Sequence, residues 1–299
     1  MAASAPSSAP RPLDPVALAR VVRRLHAAEA PPWLHGEAAR RMAERLSIVR
    51  LQPATIAAWA PKVGGGMDVL RQAYPKARLT AVEPEASARP AAVAQPWWSF
   101  RRASAVALAP ADLPEAACQL LWSNMTLHGS ACPQDVLRSW HRALAVEGFL
   151  MFSTFGAGTL QRLRDVYRAE GWALPNAPLV DMHDLGDMLV EAGFADPVMD
   201  QETVTLTWAD ATAALAELRA LGGNVALQRH GGLRTPRWRT RLLQALAQGA
   251  GTADGRIALD FEIVYGHAFK PMPRPRLAAE THVSVDDMRA MVRSGPRNR

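Results

Sequence analysis

The chain has 299 residues, of which 49% are hydrophobic and 21% charged, with a formal net charge of +6. That length suits one large domain or two small ones and supplies ample material for a core. No run of about 18 apolar residues occurs, so no membrane-crossing helix is expected. The N-terminus lacks the basic flank and apolar stretch of a secretory leader, and two cysteines without CxxC spacing, Cys118 and Cys132, suit a reducing cytoplasm.

Met1 to Pro12 is rich in Ala, Ser and Pro, and residues 1–14 are expected to be disordered. Leu18, Val21, Val22 and Leu25 then recur at helical spacing. A second helix, over 37–46, follows the break at Pro31-Pro32. From residue 53 strands and helices alternate. Strands are expected over 55–60, 78–83, 99–102, 119–123, 149–154, 198–207 and 261–269. Helices are expected over 67–74, 134–144, 159–170, 183–192, 208–221 and 237–247. Such alternation predicts an α/β fold, a seven-stranded and mostly parallel sheet with helices on both faces. Residues 222–236 read as a loop. Residues 271–299 read as a basic flexible tail carrying a weak capping box, Ser284-Val-Asp-Asp287. One domain over 15–270 follows.

The positive charge is almost wholly arginine, since lysine stands only at positions 62, 76 and 270. It reflects either compositional usage or an acidic partner. No nucleic-acid-binding motif accompanies it, so nucleic acid is not an expected partner.

Three stretches carry the most specific signal: Leu121-Trp-Ser-Asn-Met-Thr-Leu-His128, Gly148-Phe-Leu-Met-Phe-Ser-Thr-Phe-Gly156 and Val180-Asp-Met-His-Asp-Leu-Gly-Asp187. In them the chain resembles the S-adenosylmethionine (SAM)-dependent methyltransferases that esterify malonyl-acyl-carrier protein at the start of biotin synthesis. The resemblance spans residues 17–269. It implies a Rossmann-like class I methyltransferase fold, with helices near 15–50 and 156–195 as a lid over the site. It also implies SAM as cofactor and an acidic acyl carrier protein bearing a malonyl group as partner; the residues themselves lead to the expectation of no metal and a cytoplasmic location.

A cofactor of this kind asks for a glycine-rich turn after the first strand and an acid at the end of the second. Glu83 ends Leu79-Thr-Ala-Val-Glu83. It is expected to accept the ribose hydroxyls, the plainer alternative being a surface glutamate at a strand end. The family's hydrophobic-hydrophobic-Asp-x-Gly-x-Gly-x-Gly pattern falls on residues 56–64. There Ala58 replaces the acid, and Ala60 and Lys62 replace the first two glycines. If either of the last two positions needs a positive φ, the side chain costs roughly 1–2 kcal/mol. Gly64 and Gly65 are the expected cofactor contacts, and the triplet ending in Gly66 could shift the turn and rebuild a cradle. Lys62 could instead answer the cofactor carboxylate as a point charge. Trp59 or the Lys62 stem could alternatively plug the cavity.

The family's adenine-holding acid is replaced by Arg101-Arg102-Ala103-Ser104, leaving Ser104 as a weaker contact. Asn124 matches a Ser-Asn element that lines the cofactor pocket, or it is a plain turn. Arg164, in Thr159-Leu-Gln-Arg-Leu-Arg164, is proposed as the clamp for the substrate carboxylate, or it is a solvated helix arginine. His128 is either a substrate contact or a core histidine. Asp181, His183 and Asp187 match no zinc spacing and open a helix, where acids are favoured. The family's lid tyrosine is missing, and Trp33 is the nearest aromatic replacement. Two functions follow: an active malonyl-carrier methyltransferase, or a catalytically degenerate fold kept as a binding or regulatory module.

Overall fold

Seven strands make the central sheet: β1 (Thr55–Trp59), β2 (Arg78–Val82), β3 (Val106–Leu108), β4 (Cys118–Ser123), β5 (Leu144–Phe155), β6 (Ala195–Trp208) and β7 (Ile257–Phe269). Their spatial order is β3-β2-β1-β4-β5-β7-β6. Neighbours from β3 to β5 pair in parallel, and β7 lies antiparallel between β5 and β6. The computed structural model describes residues 10–84 and 106–273, with 286, 288 and 289. Six strands fall where the sequence places them. The strand expected over 99–102 lies outside the described residues, and the short β3 takes the outer position beside β2. Ser104 and most of the 271–299 tail also lie outside them.

The helices are α1 (Pro15–Ala27), α2 (Trp33–Arg45), α3 (Pro61–Gly64), α4 (Met67–Ala73), α5 (Pro133–Ala143), α6 (Gln161–Ala169), α7 (Met182–Glu191), α8 (Ala211–Leu221) and α9 (Pro236–Gly249). Their starts are chemically marked. Asp14, Asp181, Asp210 and Thr235 cap α1, α7, α8 and α9 through side-chain oxygens that accept backbone N–H bonds. Proline occupies the first turn of α1, α5 and α9, where its missing N–H costs nothing.

The central strands are buried on both faces, as a sheet covered by helices requires. The two-residue period of the strand sorts their side chains. Ile56, Ala58, Leu120, Trp122, Phe149 and Met151 join one core with α2, α4 and α9. Ala57, Trp59, Leu121, Leu150 and Phe152 join the other with α5 and α7. At the far edge, β6 alternates between half-buried and exposed positions. Its Asp200 and Glu202 pair with Arg45 and Arg41, and charges on an edge strand discourage pairing with another chain. Among the described residues no helix is long and apolar enough to cross a membrane.

Candidate active site

In the sheet, β2 lies on one side of β1 and β4 on the other, so the winding reverses between β1 and β4. Open α/β sheets take ligands in the crevice at such a point, beyond the carboxyl ends of the strands. A cavity of about 530 Å³ sits there, a size suited to a small molecule. Trp59, Ala60 and Val63 line it after β1, residues 125–130 after β4, and Phe155 at the end of β5.

Helix α1 covers this cavity. Leu18, Val21, Val22 and Leu25 form an i, i+3, i+4, i+7 stripe on the cavity wall, while Arg20 and Arg23 are exposed. The helix is fastened at its start. The Arg11 guanidinium donates to the carbonyls of His128 (2.6 Å), Ser130 (3.0 Å) and Pro178 (2.5 Å). Asp14 pairs with Arg229, and Leu13 bridges to Ala226. Further wall comes from Pro84 after β2, from Thr159, Leu160 and Leu163, from 175–177 and Leu179, from 218–225, and from Phe261 on β7. Helix α2 behaves differently: Leu34, Ala38 and Met42 are fully buried in the core, and only His35 reaches the wall. Trp33 is 61% exposed and off the wall. Helix α7 packs into the opposite core and also stays away from the cavity.

The turn after β1 closes on itself. Ala60 adopts φ 47°, ψ 47°, the left-handed conformation whose cost for a non-glycine residue the sequence anticipates. Its carbonyl accepts from the amides of Val63 (3.0 Å) and Gly64 (2.9 Å), and the Pro61 carbonyl from Gly65 (2.8 Å). The result is the single-turn helix α3, absent from the sequence-based expectation. Gly64 touches β4's exit: a Cβ there would lie 2.1 Å from the Asn124 carbonyl oxygen. Gly65 and Gly66, at φ 77° and 91°, then turn the chain into α4. These glycines pack the turn against its neighbours, and neither Gly64 nor Gly65 lines the cavity. The Lys62 side chain is likewise off the wall. Trp59 forms part of the wall, edge-on to Trp140 at 5.8 Å, and leaves the cavity open.

Glu83 follows the end of β2 and is 8% exposed. Its Oε1 accepts the Lys62 amide at 3.1 Å. Its Oε2 is buried without a hydrogen-bond partner, and Nε2 of the His26 ring on α1 lies 3.9 Å from it. Burial pushes the carboxyl pKa up, against the Lys62 amide and the charges of His26 and Lys62.

Asn124 is 1% exposed. Its Nδ2 donates to the carbonyls of His35 (2.7 Å) and Gly64, and its Oδ1 accepts from Ser153 Oγ (2.6 Å). It ties β4, β5, α2 and the β1 turn together. His35 Nδ1 bonds the Val63 carbonyl at 3.0 Å, while Nε2 is buried and unpartnered. Burial depresses its pKa to about 4, opposed by that bond. His128 lines the cavity beside Phe155, ring centroids 4.6 Å apart, with Nδ1 unpartnered. Burial, then His35 and Arg11, push its pKa to about 3. Both imidazoles are therefore neutral at pH 7. Arg164 is directed elsewhere: its guanidinium donates to the carbonyls of Thr159 and Ala157 (2.8 Å) and to Gln161 Oε1 (2.6 Å), and it is not on the cavity wall. It holds the turn that brings Thr159 and Leu160 to that wall.

The cavity wall thus holds His128 and, from the turn, Ala60 and Val63; Glu83 lies off the wall beside its lining neighbour Pro84, and Asn124 is the tie behind the turn. His35 was missed by sequence reasoning, although a histidine set among Leu34, Ala38, Ala39 and Met42 was a usable signal. The contribution of Leu218 and Leu221 from the helix expected over 208–221, and of 222–225 from the loop expected over 222–236, was also missed, because neither a helix end nor a polar, Gly-rich loop says what it covers.

The chain is 36% identical over 252 residues to the malonyl-acyl-carrier-protein O-methyltransferase of Laribacter hongkongensis, covering 81% of this chain and 84% of that one. It is 35% identical over 254 residues to the enzyme of the same name from Gallionella capsiferriformans, covering 82% and 87%. Among solved structures, the YcgJ protein of Bacillus subtilis shares the fold at a TM-score of 0.52 and 9% identity, covering 80% of this chain and 100% of that one. No family model matches the chain.

Proposed function

The chain belongs to the malonyl-acyl-carrier-protein O-methyltransferase family, and from that premise we propose that it transfers a methyl group from SAM to the free carboxyl of a malonyl thioester borne by an acyl carrier protein, in biotin synthesis. The observation that carries this reading is the unpartnered, buried Oε2 of Glu83 after β2, next to Pro84 and His26 on the cavity wall. An unsatisfied buried acceptor costs about 1–3 kcal/mol, and a ribose hydroxyl is a donor that would satisfy it. The residues present therefore fit the nucleoside part of SAM: Glu83 would take the ribose, and the apolar wall from Trp59 to Val63 would lie along the ligand.

When bound, the cofactor supplies a methyl group already activated on a sulfonium. The chain then needs no general base, because a malonyl carboxylate is ionised at pH 7. Its work is positioning and the exclusion of water. Helix α1 and the 175–179 and 218–225 segments are the lid. Arg11 and the Asp14–Arg229 pair fasten it. Leu18, Val21 and Phe155 make the interior apolar, so a carboxylate there is poorly solvated. Such an apolar wall would favour transfer of the methyl to a carboxylate, because the opposite charges of the carboxylate and the sulfonium would be lost together. Asn124 keeps the β1 turn against β4. Arg164 acts through the 157–161 turn rather than by touching substrate.

Calorimetric titration with SAM, followed by a methyl-transfer assay on malonyl-acyl-carrier protein, tests the proposal. Saturable binding and one methyl ester per malonyl group are expected. Binding without transfer would leave only a retained binding module, and no binding would remove the cofactor reading.

A further inference from the structure

A ligand whose ribose sits at Glu83, beyond β2, reaches this cavity by crossing the end of β1 toward β4. The wall residues lie on that side: Trp59, Ala60 and Val63, then 125–130. The amides of the intervening turn are already used. Val63, Gly64 and Gly65 donate within α3, and Lys62 donates to Glu83. Asn124 has also committed both Nδ2 hydrogens. At the far end stands His35, 1% exposed, with Nε2 buried and unpartnered.

The chemistry of that nitrogen is fixed by its ring. A carbonyl oxygen only accepts, so the 3.0 Å contact with Val63 places the proton on Nδ1. A neutral ring then offers Nε2 as a lone pair and nothing else. A lone pair repels a carboxylate and receives an N–H donor. We infer that His35 Nε2 accepts a hydrogen bond from the α-amino group of the cofactor's methionine moiety. The inference rests on the SAM reading above and adds the residue that holds the amino-acid end. A neutral imidazole is a modest acceptor for an ammonium group. Enclosure strengthens it, because water is kept from competing inside the protein.

The test separates the two ends of the ligand. S-adenosylhomocysteine carries the amino-acid end, and 5′-methylthioadenosine carries the nucleoside without it. Both are titrated calorimetrically into the full-length wild type, His35→Ala and His35→Gln. Loss of a charge-assisted bond should weaken S-adenosylhomocysteine roughly 10- to 100-fold in His35→Ala. Binding of 5′-methylthioadenosine should stay within about twofold, which also shows that the variant folds. His35→Gln, whose Oε1 can accept in place of Nε2, should recover much of the loss. Equal weakening of both ligands would make His35 a structural support of the turn and overturn the inference, as would unchanged binding of both. If the wild type binds neither ligand, the cofactor reading itself falls, and the inference with it.

Discussion

Replacing Glu83 by Gln should move two measurements in opposite directions. The carboxylate is 8% exposed, with one oxygen bonded to the Lys62 amide and the other unpartnered. Glutamine keeps the shape and the Lys62 contact while removing a buried charge that the protein alone compensates poorly. Without ligand, the variant should gain on the order of 1 kcal/mol, or about 2–4 °C in Tm for a domain of this size. With ligand the sign reverses. Charge-assisted bonds to the ribose are lost, at about 2–3 kcal/mol, so the Kd for S-adenosylhomocysteine should rise roughly 30- to 150-fold. The gain should also depend on pH. Burial raises the folded-state pKa of Glu83 above its ordinary value of 4.5. Its contribution is therefore fully present below pH 4.5 and is lost as pH rises through the folded pKa. Glutamine does not titrate, so the variant's advantage should be absent near pH 4 and appear as pH rises. Thermal melts across pH with calorimetry at neutral pH would read all three effects. A lower Tm with unchanged ligand affinity would refute the reasoning, because Glu83 would then be a structural anchor and nothing more.

Three further substitutions probe the surroundings. Gly64→Ala places a Cβ 2.1 Å from the Asn124 carbonyl oxygen, a backbone atom that cannot step aside; a loss of roughly 3 kcal/mol or more is expected from denaturant unfolding. Arg164→Ala removes bonds to Thr159, Ala157 and Gln161, so stability should fall by about 1–3 kcal/mol, with kcat and KM for malonyl-acyl-carrier protein both disturbed. A large rise in KM with unchanged stability would instead make it a direct clamp on the substrate carboxylate. His35→Gln should flatten the acid limb of stability. His35 is depressed from 6.5 to about 4, so the unfolded chain binds the extra proton between those values. His35's contribution is thus complete above pH 6.5 and falls by about 3 kcal/mol as pH drops to 4; urea melts of the variant should lose that share of the slope and keep the share that His128 supplies.

Strands and helices were legible where local pattern and burial agree. The runs ending in Ser123 and Thr154 are buried on both faces, and their continuous apolar sequence announces it. The stripe from Leu18 to Leu25 announced a helix but not its place, since an apolar stripe fits a core and a cavity wall equally well. The β1 turn was the hardest part. The replacements at Ala60 and Lys62 showed that the familiar glycine pattern is broken, and Ala60 does take the left-handed conformation. What the broken pattern becomes, a one-turn helix tied to Asn124 and Glu83, depends on contacts 21 to 60 residues away. Arg164 shows the same limit. Its type and position suit a carboxylate, whereas its bonds are set by the carbonyls exposed at the start of α6.

The altered turn does not by itself make the site a relic. A positive φ at Ala60 costs about 1–2 kcal/mol, a cost set against packing of Gly64 on Asn124, the Lys62–Glu83 bond and the internal bonds of α3. Those same bonds consume the amides that a glycine cradle would offer a ligand. Recognition then falls to groups left unsatisfied at the cavity: His35 Nε2, His128 Nδ1 and Asn176 Oδ1 on its wall, and Glu83 Oε2 just beyond it, next to the wall residue Pro84. A fold that had only discarded its ligand would gain by replacing each with an apolar group, because every buried unpaired polar atom costs free energy. The described residues hold other unpartnered buried atoms, such as His141 Nε2 and His267 Nε2, but the group at His35, His128, Asn176 and Glu83 is gathered at one apolar cavity under a helix fastened by Arg11 and Asp14, where a bound ligand could complete the pairing.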